Sequence, residues 1–322
     1  MAVYTDITDD ELEKLLADFD LGEAVSFKGI AEGVSNSNFL LETDAGRYIL
    51  TVYEPRTHAH DLPFFLGLMR WQAEHGYPCA TPMADRNGEA LKAVCGKPCA
   101  IVSFLPGMSV RRPGVAHCRE AGAGLARLHL AAEGFPMRRA NDLGHAAWPS
   151  MFEPLAAAAE ALKPGLADTI LADLARFEAG WPAGLPSGIV HADYFPDNVF
   201  FHGPQFAGTI DFYFACEDAL AYDVAVALNA WCFEPDGSFN VTAARAMVAG
   251  YEAHRPLSDA ERAALPILAH GAAMRFFLTR LHDWGATPVG ALVKPKDPLE
   301  YERKLAVHRS SPDLVLFGAA AQ

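Results

Sequence analysis

The run Gly188-Ile189-Val190-His191-Ala192-Asp193-Tyr194-Phe195-Pro196-Asp197-Asn198-Val199-Phe200-Phe201, completed by Gly208-Thr209-Ile210-Asp211-Phe212, constrains this chain more than any other stretch. Apolar residues lead into His-x-Asp, an Asn follows at a fixed spacing, and a second apolar run ends on another Asp. Asp193, Asn198 and Asp211 therefore fall at the ends of short strands. Three oxygen-bearing side chains so placed suit one base and two ligands for a hard cation such as Mg²⁺, which works beside substrate phosphates. The plainer alternative is a β-hairpin whose Asp, Asn, Pro and Gly are turn formers. The apolar flanks and the downstream Ile-Asp favour phosphoryl transfer.

At 322 residues the chain has room for about two domains. A hydrophobic share of 51% with 20% charged residues describes a globular protein and excludes a disordered one. The net charge of −14 argues against nucleic acid as partner, because such binders need basic surface to displace counterions. A nucleotide triphosphate stays compatible, since its charge is met locally. The acidic, helical pattern of Met1 to Asp20 lacks the features of a signal peptide, and no apolar run approaches the roughly 20 residues of a membrane span. The six cysteines have no Cys-x₂-Cys pair and no zinc-like spacing with His, so buried thiols in a reducing cytoplasm are expected, without membrane partners.

Along the chain, Thr8-Asp9-Asp10-Glu11 before Leu12, Leu15 and Leu16 reads as a capped helix. Strands are expected over 24–30, 37–43 and 47–53, with a Gly-, Ser- and Asn-rich loop at 29–38. That loop suits phosphates through its amides and hydroxyls, although taken alone an ordinary hairpin loop describes it better. A helix over 59–74 and strands near 90–94 and 98–104 complete a small five-stranded antiparallel α+β domain, 1–104. After Leu105-Pro106-Gly107, helices dominate 105–322: over 115–132, 149–161, 166–179, 220–232, 241–253 and 258–284. Ser258-Asp259-Ala260-Glu261 is the capping box of the last of these. The tail, 294–322, begins with a charged helical stretch and is expected to be tied down only in part.

A small sheet-plus-helix lobe, a Pro-Gly hinge, a helical lobe and His-x-Asp-x₄-Asn followed by Ile-Asp together resemble the aminoglycoside phosphotransferase branch of the bilobed protein-kinase-like fold. Within that branch the chain is most similar to the bacterial homoserine kinases. The strings that carry this are Gly33 to Phe39, Tyr48 to Glu54, Asp61 to Leu66, Phe212 to Cys216, Leu228 to Phe233 and Gly271 to Phe277. The resemblance implies an ATP- and Mg²⁺-dependent kinase with L-homoserine as its small-molecule substrate. A kinase for another small alcohol (an aminoglycoside, choline or methylthioribose) and a non-catalytic nucleotide-binding scaffold are the alternatives. It implies Asp193 as catalytic residue, Asn198 and Asp211 as metal ligands, and Asp223 as a brace for the catalytic loop; His191 reads as structural. Protein kinases carry a third-strand Lys paired with a helix Glu; the corresponding positions here are Thr51 and Phe65. The phosphate side then falls to Ser35, Asn36, Ser37, Thr51 and the loop amides, or to Lys28 or Arg47. For the acceptor, Tyr194 is expected to line the pocket. Arg275 and Arg280 either bind the carboxylate or pair with a residue such as Asp283. Glu217, Asp218 and Asn229 are candidates for the ammonium, a surface loop being the alternative for the first two. His282 and Trp284 read as packing residues.

Overall fold

The computed structural model describes residues 5–30, 36–55, 57–286 and 295–315. The chain divides into two compact units, the first made of residues 1–107, 134–139 and 207–213, the second of 108–133, 140–206 and 214–322. Residues 207–213, which the sequence reading assigned to the second domain, thus pack with the first unit.

In the first unit, helix α1 (Asp9–Leu16) starts at Thr8, whose hydroxyl accepts from the Glu11 N–H while the Glu11 carboxylate accepts from the Thr8 N–H at 3.0 Å. Strands β1 (Ala24–Ile30), β2 (Ser37–Thr43) and β3 (Arg47–Val52) follow, joined by a tight turn at 44–46. Helix α2 (Leu62–Glu74) comes next, entered through a short 3₁₀ turn at Ala59–Asp61. Strands β4 (Lys92–Val94) and β5 (Lys97–Ser103) complete an antiparallel sheet in the order β1-β2-β3-β5-β4. Along β2 every second residue from Ser37 is buried, which is the period of a strand with one face on a core. That core joins Leu12, Leu15 and Leu16 of α1 to Phe39, Leu41, Leu50, Val52, Cys99 and Ile101. Each such side chain removed from water contributes about 1.5–3 kcal/mol.

The second unit holds α3 (Val115–Ala131), α4 (Trp148–Phe152), α5 (Ala156–Leu162) and α6 (Leu166–Gly180). Strand β6 (Ser187–Val190) leads into β7 (Val199–His202) and β8 (Gln205–Thr209), which pair, and β9 (Cys216–Ala219) returns antiparallel to β6. Then come α7 (Leu220–Trp231), α8 (Val241–Glu252), α9 (Asp259–Ala286) and α10 (Pro298–Ser310). The single helix expected over 149–161 is split because Pro154 sits in a 3₁₀ turn, Glu153–Leu155. Helix α10 is the charged helical stretch expected at the start of the tail, and it is packed down. Tyr301 and Leu305 are fully buried, and Lys304 and His308 bond to the backbone and side chain of Asn229 at 3.0 and 2.8 Å. His282 and Trp284 face solvent instead of packing. Of the six cysteines, all free, only Cys95 is exposed. Among the described residues no helix is long and apolar enough to cross a membrane.

Helices α3 and α8 meet backbone to backbone. A Cβ on Gly122 would lie 2.0 Å from the Met247 carbonyl oxygen, and one on Gly250 would lie 1.9 Å from that of Arg119. Neither obstacle is a side chain that can swing aside, so the helices themselves must separate. Gly250→Ala is expected to destabilise the protein by about 1–3 kcal/mol, read as a lower urea midpoint at unchanged slope.

Candidate active site

The loop between β6 and β7 is held from beneath by one buried carboxylate. Asp223, at the start of α7 and fully buried, accepts from the N–H of His191 at 2.7 Å and of Ala192 at 2.9 Å. Ala192 has a φ of +59°, a left-handed conformation costly for a residue with a Cβ, so the bond to its N–H helps fix a strained turn. A third partner is His129 on α3, whose Nε2 lies 3.0 Å from Asp223 Oδ2. Burial on its own would raise the Asp223 pKa, but the His129 bond and charge, with the backbone donor of His191, outweigh it and hold the carboxyl below its ordinary value. Arg255 donates to the Tyr251 hydroxyl, whose oxygen lies 2.8 Å from His129 Nδ1, so that His129 is held on one side while its Nε2–H meets Asp223.

Asp193 follows directly and keeps part of its carboxylate in contact with solvent. Its N–H donates to His191 Nδ1 at 3.2 Å, and the His191 ring is completely buried against Tyr194. Asn198, from the 3₁₀ turn before β7, donates through Nδ2 to both the main-chain oxygen and Oδ2 of Asp193, at 2.9 and 3.1 Å. Its amide nitrogen is thereby committed toward Asp193, and Oδ1 is left as an oxygen donor. Arg275, in the middle of α9, donates to the Ala192 carbonyl at 2.7 Å, and its Nη1 stands 4.0 Å from Asp193 Oδ1. The guanidinium lies over the rings of Phe214 and Phe276, and Phe214 is exposed. Glu217 is half-buried on β9 opposite Ile189, so the surface-loop alternative does not describe it. Asp218 beside it receives Asn141 Nδ2 at 2.6 Å; burial is the main cause that raises its pKa.

In the first unit, the segment carrying Asp211 is pinned on both sides. Upstream, Thr209 donates its N–H to the Pro78 carbonyl, and its hydroxyl is 2.6 Å from that of Tyr77. Gly208 (φ +153°) permits this approach, since a Cβ there would meet the Pro78 oxygen at 2.6 Å. Downstream, the Tyr213 ring stands edge-on to Tyr53 and Phe65. Asp211 itself has a φ of +64°. No group of three or more His, Cys, Asp or Glu side chains among the described residues forms a metal cluster. An Asn oxygen and an Asp carboxylate are nonetheless the hard donors Mg²⁺ accepts when phosphates and water supply the rest.

Several expectations are corrected. Tyr194 does not line a pocket: it is fully buried, and its hydroxyl donates to the Ala121 carbonyl while its carbonyl accepts from Trp231 Nε1. Asn229 is a buried strut, with Nδ2 on the carbonyls of Ala225 and Ala269 and Oδ1 taken by His308. Arg280 forms an ion pair at 2.7 Å, with Glu300 of α10 in place of Asp283. Asn36 accepts from the Glu54 N–H and the Thr57 hydroxyl, and Ser37 donates to Glu54 at 2.8 Å from full burial, so both brace the loop end. Thr51 is buried and donates to Asn38 Oδ1. Ser35 lies outside the described residues. Sequence reasoning missed His129 and Tyr251, whose signal was a polar group on an otherwise apolar helix face. It also missed Lys296, whose ammonium lies over the Phe195 ring.

Residues 26–257 match the phosphotransferase enzyme family. A homoserine kinase of Phenylobacterium zucineum is 78% identical over 321 residues, covering 100% of this chain and 99% of the relative. One of Caulobacter vibrioides is 68% identical over 318 residues, covering 98% and 100%. Among solved structures, an amicoumacin kinase in complex with AMP-PNP, Ca²⁺ and Ami superposes with a TM-score of 0.68 at 15% identity, covering 95% of this chain and 93% of its own, a likeness of fold. The chain belongs to the phosphotransferase enzyme family and, within it, to the homoserine kinases.

Proposed function

We infer that this chain transfers the γ-phosphoryl group of ATP to the side-chain hydroxyl of L-homoserine, giving O-phospho-L-homoserine and ADP. The observation that carries the reading is end-to-end similarity to homoserine kinases at 78% identity. In this reading Asp193 orients the acceptor hydroxyl and takes its proton. The hydroxyl oxygen bonds to the γ-phosphorus as the bond to the β–γ bridging oxygen breaks, and the electron pair leaves with ADP. The Asn198 bonds hold the Asp193 carboxylate in one orientation, so that little rearrangement is needed when substrate arrives. Asn198 Oδ1 and the Asp211 carboxylate would hold Mg²⁺, which when bound neutralises charge on the phosphate oxygens.

Arg275 is the proposed partner of the homoserine carboxylate, and Glu217 of its ammonium. Arg275 is buried, adjacent to Asp193, and spends one donor on Ala192. Its planar fork recognises a carboxylate through two parallel bonds, which Lys cannot reproduce. Arg275→Lys is expected to raise the homoserine KM about tenfold or more, with a smaller fall in kcat. With 3-aminopropan-1-ol, which lacks the carboxylate, wild type and variant should converge. An undiminished gap on that alcohol would remove Arg275 from the carboxylate site. The substrate assignment itself is tested by a panel of alcohols with ATP; turnover of an aminoglycoside but not of homoserine would reject it.

A further inference from the structure

Thr51 on β3 and Phe65 on α2 stand where a protein kinase carries its Lys–Glu pair, and neither is charged. Beside Phe65 stands Tyr213, two residues beyond Asp211. Its ring centroid is 5.7 Å from that of Phe65 and 5.3 Å from that of Tyr53, nearly perpendicular to both. Its hydroxyl lies 3.1 Å from the Tyr53 hydroxyl. Thr51 gives its proton to Asn38 Oδ1 at 2.8 Å, across the β2–β3 pair. Tyr213 is thus held from two elements, by Tyr53 directly after β3 and by Phe65 of α2.

We propose that Tyr213 is the positioning residue that replaces the ion pair, holding Asp211 in its left-handed conformation through neutral contacts to α2 and to Tyr53 after β3. The inference rests on the phosphotransferase reading, in which Asp211 meets the metal-bound nucleotide. A strained residue persists only where its surroundings over-determine it. The clamp at Thr209 fixes the segment on one side, and Tyr213 fixes it on the other. Edge-to-face rings hold direction as well as distance. A neutral tie also suits this place: a lysine ammonium here would pair with the Asp211 carboxylate and compete with a divalent cation for it.

The test is calorimetric titration of nucleotide with and without Mg²⁺, which needs no acceptor, alongside steady-state kinetics. Tyr213→Phe keeps the ring and loses the hydroxyl. It should weaken Mg²⁺-dependent ATP affinity and raise the Mg²⁺ concentration for half-activation, each about three- to tenfold, the scale of one buried hydrogen bond. Metal-free nucleotide affinity and the homoserine KM should stay within twofold. Because Tyr53 and Tyr213 share one hydrogen bond, adding Tyr213→Phe to Tyr53→Phe should cost nothing beyond Tyr53→Phe alone. Wild-type Mg²⁺ dependence in Tyr213→Phe, an equal loss of metal-free binding, or strictly additive losses in the double variant would each overturn the proposal. Failure of the wild type to phosphorylate homoserine would overturn the functional reading instead, and the binding experiment separates the two.

Discussion

Asp193→Ala is expected to lower kcat by about 10²–10⁴-fold while nucleotide affinity changes little. The carboxylate is the group on the β6–β7 loop that both reaches solvent and is held by a dedicated donor, Asn198 Nδ2. Losing it removes the acceptor of the hydroxyl proton and the group that orients the attacking oxygen. Binding of ATP does not draw on it in the proposed mechanism. The expected signature is therefore a fall in kcat and kcat/KM together, with little change in the ATP dissociation constant. Asp193→Asn is the sharper variant, because its amide preserves shape and removes the base. Near-normal turnover in either variant would defeat the assignment of Asp193.

Asp223→Ala is expected to cost about 3–5 kcal/mol of stability, since two buried backbone N–H groups and the His129 Nε2–H lose their acceptor together. Activity should fall further than the folded fraction, because the strained turn at Ala192 loses its brace and Asp193 sits next in the chain. The pH dependence has a definite sign. Asp223 has a folded pKa below its unfolded one, so its contribution is complete above the ordinary Asp value of about 3.9 and is lost as pH falls through the folded value. The stability gap between wild type and Asp223→Asn should therefore be constant at neutral pH and narrow on acidification below about pH 4. Urea unfolding at a series of pH values measures it. A gap that widens in acid would reverse the assigned charge state.

The β-sheet and the Asp193–Asn198 loop were legible because both are local. Alternation along β2 and the turn residues at 44–46 place that hairpin without reference to anything distant. The errors were of two physical kinds. Ser37 was read as a phosphate hydroxyl, yet it shares strand parity with Phe39 and Leu41, and a period of two had already assigned it to the core. Tyr194, Asn229 and Arg280 were misread for another reason: their partners, Ala121, His308 and Glu300, lie far along the chain. Strand β9 escaped notice similarly, its four residues defined by pairing with β6. Arg275 illustrates the limit well. Its burial pointed to a partner, and the partner proved to be the carbonyl of Ala192.

The backbone contact between α3 and α8 bears on how such a sequence can drift over generations. Gly122 and Gly250 set the separation at which the Tyr251 hydroxyl meets His129, and His129 meets the carboxylate under the loop. A single inserted residue between the Asn240 cap and Tyr251 would swing that hydroxyl about 100° around α8. Two helices that supply no group to the reacting atoms are therefore held to nearly the same heredity as the loop itself. Their surfaces can vary, but their length, phase and these two glycines cannot.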